Sequence, residues 1–482
     1  MPTLSVEQTL RFAVSCRAPR ANQRHASQSR QQFVDNFMDV LGKVFGLERV
    51  FGTRVGNAQL RGVSGGEKKR VSISEVLASR AVVTMWDSAT RGLDSSSAVQ
   101  YVRALRALTN LTKGSTLVTL YQASDSLWDL FDKVLLIDSG KLVYFGPTED
   151  AIKYFEETVG FERQPRQTAT DYLNSCTDPV ARRAKEGFEG KVPTSPGEMA
   201  KRWQESDDKK LADEEMKDYK QHLIDHPRGS ALQKSTEHER EKNKRSAGSN
   251  YTISLWQQIT LLTRRQTQLI LRDRPALAAK YGGAVFQALI AGSAFYNQPY
   301  TTNSAFTFGG AAFLSILFMS LQGLAELTNQ YQLRPILVRH QGFSFYRMSA
   351  FALSQVLIDA VSTCVSHEFA LALTYRLQPV IAGSSLVFSI ILYFLVNLKR
   401  EPGQFFIFWL FLWLVSMTTY ALFRCLAAIT PSLNIATRFS GLLIQAIVVY
   451  AGYTLAYPNM RYYFRWLPWI NPAYYGSVIQ VC

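Results

Sequence analysis

The sequence predicts an α/β domain followed by an all-α domain with several membrane spans, and three observations support this prediction. Residues 251–482 contain long apolar runs and only five acidic residues. Residues 63–145 alternate short apolar strands with amphipathic helices, which is the pattern of a largely parallel α/β sheet. A charge-dense stretch separates these regions. We therefore expect a first domain at 1–180, a cytoplasmic linker at 181–250 and a membrane domain at 251–482.

The overall composition of the chain is less informative than the way apolar and charged residues are distributed along it, because the average combines two different halves. The 482 residues carry a formal charge of +15 and are 47% apolar, which alone would suit a soluble protein. The five cysteines have neither the CxxC spacing of a zinc module nor the density of a disulfide scaffold. The composition therefore disfavours those two classes of protein.

Five segments of the C-terminal half are long and apolar enough to cross about 30 Å of hydrocarbon. They are predicted at residues 276–296, 306–324, 350–396, 405–428 and 439–455. Buried helices of a large soluble protein are the alternative. Apolar runs of this length with so few charges are rare in such proteins, so a membrane domain is favoured.

Basic residues set the expected orientation of the spans. Ten of them border the ends that are cytoplasmic if the N-terminus is cytoplasmic: Arg264, Arg265, Arg272, Arg274, Lys280, Arg334, Arg339, Arg347, Arg424 and Arg438. Four others, Lys399, Arg400, Arg461 and Arg465, fall on the outer side. On balance we expect a multi-pass membrane protein with its N-terminus in the cytoplasm.

The third predicted span, 350–396, is irregular. It is too long for one crossing and too short for two, and the charged Glu368 and Arg376 would be costly at bilayer depth. Removing residues 361–378 leaves one well-formed span. The removed stretch begins Val-Ser and ends Leu-Gln, pairs that intron donor and acceptor sites can encode. We hypothesise that it is a translated, unremoved intron, and a re-entrant loop is the alternative.

The most specific string of the first half is VSGGEKKRVSI at residues 63–73. Ser64, Gly65 and Gly66 open a predicted helix, and Glu67 follows them. Exposed N–H groups and the helix dipole favour an anion at such an end, and glycine lets a phosphate approach the backbone. The string therefore predicts a phosphate-binding helix end.

Three further features follow that string. Residues 81–87 are predicted to form a buried strand ending in Asp87, a carboxylate suited to hold Mg²⁺ beside a phosphate. Asp94 lies in a GLD turn ahead of an amphipathic helix. Residues 134–145 then form a predicted β-hairpin.

This order of motifs resembles the ATP-binding domain of ABC transporters, with VSGGE as the signature, VVTMWD as the Walker B strand and GLD as the D-loop. Longer strings narrow the resemblance to the N-terminal nucleotide-binding domain of fungal pleiotropic-drug-resistance transporters, full-size relatives of the ABCG group. These strings are RGVSGGEKKRVSISE, WDSATRGLDS, VYFGPTEDAIKYFEE and RQTATDYLNSCTDP. The resemblance continues through RPILVRH and INPAYYG in the membrane half and covers nearly the whole chain.

The resemblance implies an ATP-driven exporter of drugs, xenobiotics or lipids in the plasma membrane. In that family two nucleotide-binding domains close around two ATP molecules, and the membrane domains change between inward- and outward-facing states. The implied partners are a second ABC half, the lipid membrane and an amphipathic small molecule. The implied fold is a partial ABC nucleotide-binding domain followed by a membrane domain of the ABCG type.

The resemblance also assigns residues to roles. Four signature residues would face a nucleotide held by the partner domain: Ser64, Gly65, Gly66 and Glu67. Asp94 would contact the partner across the dimer, and Asp87 would hold Mg²⁺ in this domain's own site. ATP and Mg²⁺ are therefore the expected cofactors.

The sequence departs from the family pattern at the site of this domain itself. It contains no GxxxxGK[ST] phosphate loop, the Walker A motif that cradles a bound nucleotide. Ser88 stands where active sites place the catalytic glutamate, and Tyr121 stands at the position of the switch histidine. A hydroxyl is a poor base at neutral pH, so no intact catalytic residue is expected. By resemblance, the phosphate loop would lie upstream of Met1, and a sixth span and a second half would follow Cys482.

Two segments outside these motifs carry weaker predictions. Residues 200–250 hold twelve Lys/Arg and eleven Asp/Glu, and this nearly balanced charge predicts a solvated helical linker and no nucleic-acid partner. Six aromatic residues near the end are typical of an interfacial belt: Tyr462, Tyr463, Trp466, Trp469, Tyr474 and Tyr475. A substrate path is the alternative role for them.

We therefore expect part of an exporter that offers a signature motif in trans and has a degenerate ATP site of its own. Two alternatives remain at this point. The chain could be a non-catalytic membrane regulator that docks its signature onto the ATP of a partner, or a non-functional truncated product. The residues of the spans do not identify a substrate.

Overall fold

The computed structural model describes residues 1–19, 28–79, 81, 83–112, 114–120, 124–225, 251–364 and 383–481. The chain divides into two compact units. One consists of Met1–Val34, Arg54–Gly62 and Tyr251–Cys482, and the other of Asp35–Thr53 and Val63–Asn250. The predicted first domain, 1–180, is therefore shared between the two units, because its first helix and the Arg54–Gly62 loop belong with the membrane half.

The unit that contains Val63–Asn250 holds helices and strands in alternation. After α2 (Arg30–Phe45), which begins in the range of the other unit, its elements are α3 (Gly65–Leu77), β1 (Val83–Trp86), α4 (Ser95–Thr112), β2 (Ser115–Val118), α5 (Asp125–Trp128), β3 (Lys133–Asp138), β4 (Lys141–Pro147), α6 (Thr148–Lys153) with a π turn at Tyr154–Val159, α7 (Ala169–Thr177), α8 (Pro196–Glu205) and α9 (Asp207–Asp225).

The strands of this unit form two separate pairs. β1 and β2 are parallel, with Trp86 opposite Val118, and β3 and β4 are antiparallel. The hairpin turns through Ser139 and Gly140, whose φ angles of 48° and 77° are the left-handed conformations that a two-residue turn requires. The predicted hairpin is therefore present. The described residues contain one parallel pair rather than the largely parallel sheet that the alternation predicted.

The prediction that β1 is buried is wrong. Val83 and Met85 are 54% and 76% exposed, whereas Trp86 is buried and meets the ring of Tyr101 edge-on at 6.1 Å. The reason is that α4 packs on the face that carries Trp86, while the alternate side chains point to the other face. An apolar run of this length does not by itself reveal whether one face or both faces are covered.

The core of this unit lies between the hairpin and the helices that follow it. Trp203 of α8 is buried and packs its ring 5.0 Å from that of Tyr144 in β4 and 5.4 Å from that of Tyr154. The predicted linker boundary at residue 181 therefore falls inside a packed region. The following helix, α9, has no buried residue, as a solvated helix predicts, and residues 226–250 lie outside the described part of the chain.

The other unit is built of helices. Its elements are α1 (Val6–Arg17), α10 (Leu255–Arg272), α11 (Arg274–Ala294), α12 (Ala305–Gln322), α13 (Ala325–Gly342), α14 (Met348–Cys364), α15 (Ser384–Val396), α16 (Pro402–Ile429), α17 (Leu433–Val449), α18 (Leu467–Ile470) and α19 (Pro472–Val481). Helices α11 and α15 pack against each other, and α12 packs against α16 and α19. Ile316, Phe388 and Leu412 lie at the centre of this bundle.

Among the described residues, two helical stretches are long and apolar enough to cross a membrane, Ala305–Gly342 and Pro402–Ile429. Three shorter apolar helices accompany them, at Met348–Ala360, Ser384–Val396 and Leu433–Val449. The predicted spans 306–324 and 405–428 fall within the two long stretches. The first predicted span, 276–296, corresponds to α11. This helix is continuous, but it contains the charged Lys280 and is less apolar than the two long stretches.

Two predicted spans differ from the helices observed. The fifth, 439–455, is displaced, because α17 begins at Leu433 under an N-cap from Ser432 and ends before Gly452, whose φ of 89° turns the chain. In place of the third span, 350–396, the structure has two helices, α14 and α15. Most of the segment 361–378 lies outside the described residues.

Candidate nucleotide-binding site

The signature string forms the N-terminus of α3, and its first turn is capped from both sides. The Ser64 hydroxyl accepts a hydrogen bond from the Glu67 amide at 3.3 Å, and the Glu67 carboxylate accepts one from the Ser64 amide at 2.8 Å. This reciprocal pair is a capping box, which fixes where the helix starts. The sequence SGGE therefore specifies the helix end locally.

The capping box leaves the two glycine amides for a ligand. The first four N–H groups of a helix have no partner within the helix, and the box satisfies those of Ser64 and Glu67. Gly65 and Gly66 supply the other two. A Cβ atom on Gly65 would meet no atom within 4 Å, and one on Gly66 would lie 3.8 Å from a Leu93 methyl carbon. Neither glycine is therefore crowded at its Cα by the described residues.

The D-loop lies beside this helix. The Lys69 ammonium donates a hydrogen bond to the Arg91 carbonyl at 2.5 Å, which ties α3 to the start of the loop. Gly92, with a φ of 80°, turns the chain so that Asp94 directly precedes α4 and accepts a hydrogen bond from the Ser97 amide at 3.0 Å. Hydrogen bonds from Ser97 lower the pKa of the Asp94 carboxyl, so it is a carboxylate at neutral pH.

Asp87 lies directly after β1 and is held by the neighbouring strand. The Thr119 hydroxyl, at the end of β2, donates to the Asp87 carboxylate at 2.6 Å and accepts from the Ser88 amide at 2.8 Å. Ser88 has a φ of 47°, and its own hydroxyl lies 3.4 Å from the same carboxylate oxygen. The carboxyl ends of two parallel strands therefore present one carboxylate with two hydroxyl groups around it.

These residues fit in part the two ligands that the resemblance implies, ATP and Mg²⁺. Magnesium in nucleotide sites uses one or two carboxylates together with phosphate oxygens and water, and Asp87 is an exposed carboxylate in that setting. The glycine amides of α3 suit a phosphate. Among the described residues, no group of three or more His, Cys, Asp or Glu side chains could hold a metal ion without such a phosphate.

Sequence reasoning missed two residues of the site, and one predicted residue cannot be placed. Thr119 and Lys69 hold Asp87 and the D-loop through contacts 32 and 22 residues apart in sequence. The position of Thr119 at the end of the second strand was the available signal, since parallel strands end at one edge of a sheet. Tyr121 lies outside the described residues.

The helical unit also contains polar contacts between its helices. Arg334 in α13 donates to the carbonyls of Ala427 and Thr430 at 2.9 and 3.0 Å and so caps the C-terminal end of α16. Deeper along α16, Arg424 forms an ion pair with Glu326 of α13 at 3.0 Å and a second one with Asp359 of α14. These contacts join three helices of the bundle.

Comparison with known proteins connects this helical unit with a transport family. The family model described as "ABC-2 type transporter" matches residues 257–378 and 365–479. Together with the apolar helices, this match shows that the chain is a membrane protein with a helical membrane domain.

Curated relatives match along nearly the whole chain. The brefeldin A resistance protein of Schizosaccharomyces pombe is 35% identical, protein SNQ2 of Saccharomyces cerevisiae is 36% identical, and the ABC multidrug transporter atrG of Aspergillus oryzae is 37% identical. Each match covers 98% of this chain and 30–31% of the relative. The chain therefore spans less than a third of the length of these relatives.

A solved structure of MJ1267, an ATP-binding cassette of an ABC transporter, matches 32% of this chain and 62% of that chain. The sequence identity is 16% and the TM-score is 0.24, so this likeness supports no argument about the site.

Proposed function

Because the chain belongs to the pleiotropic-drug-resistance family of fungal ABC multidrug transporters, we propose that it is part of an ATP-driven exporter of drugs, xenobiotics or lipids. The observation that carries the proposal is the presence in one chain of an open signature helix and an ABC-2 membrane domain. The amphipathic substrate class is what the resemblance to ABC multidrug transporters implies.

In this proposal the signature acts on a nucleotide held by a partner domain. The Gly65 and Gly66 amides bind its terminal phosphate, and the Ser64 hydroxyl, which accepts from the Glu67 amide, keeps its own proton for a phosphate oxygen. Hydrolysis of ATP with Mg²⁺ would supply the energy for export. Lys69 keeps the D-loop beside the signature, and Asp94 caps the helix that follows the loop, so that both motifs face the partner together.

The site of this domain itself is degenerate in the proposal. Asp87 is placed to hold Mg²⁺, but Ser88 replaces the residue that would orient a water molecule, and its hydroxyl lies against the carboxylate instead. The chain contains no phosphate loop. The partner is therefore a second ABC half, consistent with relatives about three times as long as this chain.

We also propose a plasma-membrane location with a cytoplasmic N-terminus and a translated intron at residues 361–378. The orientation rests on the ten basic residues that border one side of the spans. The intron proposal rests on the Val-Ser and Leu-Gln pairs at the ends of this stretch and on the charged Glu368 and Arg376 within it. A full-length transcript that keeps these codons as its dominant form would contradict it.

A chimera tests the export proposal. The segment of protein SNQ2 aligned with this chain would be replaced by the chain, with and without residues 361–378, in yeast that lacks its own multidrug exporters. We expect ATP-dependent efflux of an amphipathic dye from the version without the stretch. No efflux from a chimera that reaches the plasma membrane would contradict the proposal.

A substitution at a glycine of the signature tests directly whether export requires phosphate binding at this helix end. Gly66→Asp places a carboxylate where a phosphate must approach, and efflux should fall at least about tenfold, because like charges exclude each other at the helix end. Gly197→Asp is the matched control. Gly197 also follows a serine N-cap by two positions and precedes a glutamate, but it lies in α8, away from the site. Efflux should be unchanged in the control.

A further inference from the structure

The helix α9 is held at its start and uncovered along its second half. The hydroxyl of the buried Ser206 accepts a hydrogen bond from the Lys209 amide at 3.2 Å, so the start of the helix is capped. Glu215 forms an ion pair with Lys133 of β3. Every residue from Glu214 to Asp225 is exposed. The hairpin therefore fixes the first half of α9, and the described residues leave the second half open.

One side of this helix is apolar. Four residues lie along it at spacings of four, three and four positions, and we call them the α9 stripe: Ala212, Met216, Tyr219 and Leu223. Alternating spacings of three and four place side chains on one side of an α-helix. Met216, Tyr219 and Leu223 are 49%, 63% and 43% exposed. This spacing is the pattern by which two helices pack side by side in a coiled coil.

The stripe differs from ordinary exposure of single apolar side chains. Leu211 and Ile224 of α9 are also exposed, but they lie on other sides of the helix and do not extend the stripe. Isolated apolar side chains of that kind are common on protein surfaces and need no partner. Four apolar residues along one side of an otherwise charged and exposed helix indicate that another helix covers that side.

The charges beside the stripe fit a second copy of the same helix. Glu215 borders the stripe on one side, and Lys220 borders it on the other side, five positions further along. In a parallel pair of identical helices these two positions face each other across the interface, so opposite charges meet twice. Asp213, on the same side as Lys220, is already paired with Lys209 of its own helix. The Glu215 side chain stays 59% exposed despite its contact with Lys133, so a partner can reach it.

We propose that α9 is an interaction surface for a second copy of this chain. Two stripes pack as a short parallel coiled coil, and Glu215 of each copy pairs with Lys220 of the other. A lipid surface is a poorer fit, because acidic residues outnumber basic ones along α9 and cytoplasmic leaflets are negatively charged. The proposal goes beyond ATP-driven export and does not depend on it.

Disulfide cross-linking of the full chain in phosphatidylcholine vesicles tests the proposal. Two cysteines join only when their Cβ atoms come within about 4.5 Å. Met216→Cys and Leu223→Cys place a thiol in the stripe, whereas the matched controls Glu214→Cys and Gln221→Cys place one on the opposite side of the helix. After oxidation with copper phenanthroline, we expect about tenfold more dimer from each stripe variant than from each control. The unmodified chain gives the background of the native cysteines.

Two differently tagged copies of the chain identify the occupant. The cross-linked product should carry both tags, because the partner is a second copy. A stripe variant that cross-links to a different protein would overturn the proposal in favour of that protein. Equal yields at stripe and control positions, or no cross-link at any of them, would also overturn it, because no second copy then packs on the stripe.

Exchange of charges tests the parallel arrangement. Glu215→Lys and Lys220→Glu each bring like charges together, so the dimer yield from Met216→Cys should fall about fivefold in either variant. The double variant Glu215→Lys/Lys220→Glu restores opposite charges between the copies, and the yield should recover even though the ion pair with Lys133 is lost. If the yield does not recover, the parallel pairing of the two copies is wrong.

Discussion

At the scale of single residues, the serine that starts α3 has two separable roles. Its hydroxyl caps the helix by accepting from the Glu67 amide, and in the proposed function it also donates to a phosphate. Ser195, which starts α8, makes the same kind of cap with the Glu198 amide at 3.3 Å. The two serines therefore allow the structural role to be measured apart from the binding role.

We predict that Ser64→Ala and Ser195→Ala each lower the free energy of unfolding by about 1 kcal/mol, the usual cost of losing an N-cap. Only Ser64→Ala should reduce efflux by the chimera, because only that hydroxyl faces the phosphate. Thermal unfolding and dye efflux of both variants provide the comparison. Equal loss of efflux in both variants would show that the effect of Ser64 is structural.

A second pair of residues isolates the metal-binding role of Asp87. Asp87 and Asp138 each end a strand, and each is followed by a serine with a positive φ whose hydroxyl contacts the carboxylate. Asp87→Asn should raise the Mg²⁺ concentration needed for half-maximal nucleotide binding to the chimera about tenfold, which corresponds to about 1.4 kcal/mol. Asp138→Asn, in the hairpin turn, should leave that concentration unchanged. The same shift in both variants would argue against a metal-binding role for Asp87.

At the scale of elements, the ion pairs of Arg424 join three helices of the membrane domain. Arg424 and Asp359 have side chains only 15% and 12% exposed, and Glu326 is 20% exposed. A buried charge is costly without its partner, so the loss of Arg424 would remove the ion pairs of both carboxylates and leave Lys280 of α11 as a cation that interacts with them. The contacts between α13, α14 and α16 therefore depend strongly on this side chain.

We predict that Arg424→Met lowers stability by about 3–5 kcal/mol, the cost of breaking a buried ion pair. The melting temperature of the detergent-solubilised chain would report the change. Arg438→Met is the matched control, because Arg438 lies on the neighbouring helix α17 with an exposed side chain. A melting temperature of Arg424→Met equal to that of the control would show that the ion pairs do not hold the helices together.

At the scale of the whole molecule, the missing phosphate loop decides what the chain can do alone. In the proposed function, a signature without a phosphate loop in the same chain completes a partner's site but cannot hold its own nucleotide in place. We predict that the purified chain, reconstituted in vesicles, hydrolyses no ATP above the rate of protein-free vesicles. Hydrolysis that Asp87→Asn abolishes would contradict this prediction, and the chimera with its phosphate loop serves as the positive control.

The sequence by itself determined the features that depend on neighbours along the chain. The start of α3 follows from the capping sequence SGGE, the hairpin follows from a Ser-Gly turn between apolar strands, and the membrane domain follows from apolar runs. Family membership followed from strings of ten or more residues, which the relatives confirm. In each case the physical cause acts within one turn or one run of residues.

Only the tertiary structure decided the features that depend on distant contacts. It paired Thr119 with Asp87, joined Arg424 to two other helices, and packed Trp203 of the predicted linker into a core. It also exposed one face of β1 and assigned Met1–Val34 to the membrane half. Periodicity gives the apolar face of an element but not what covers it, because that depends on which distant element packs there.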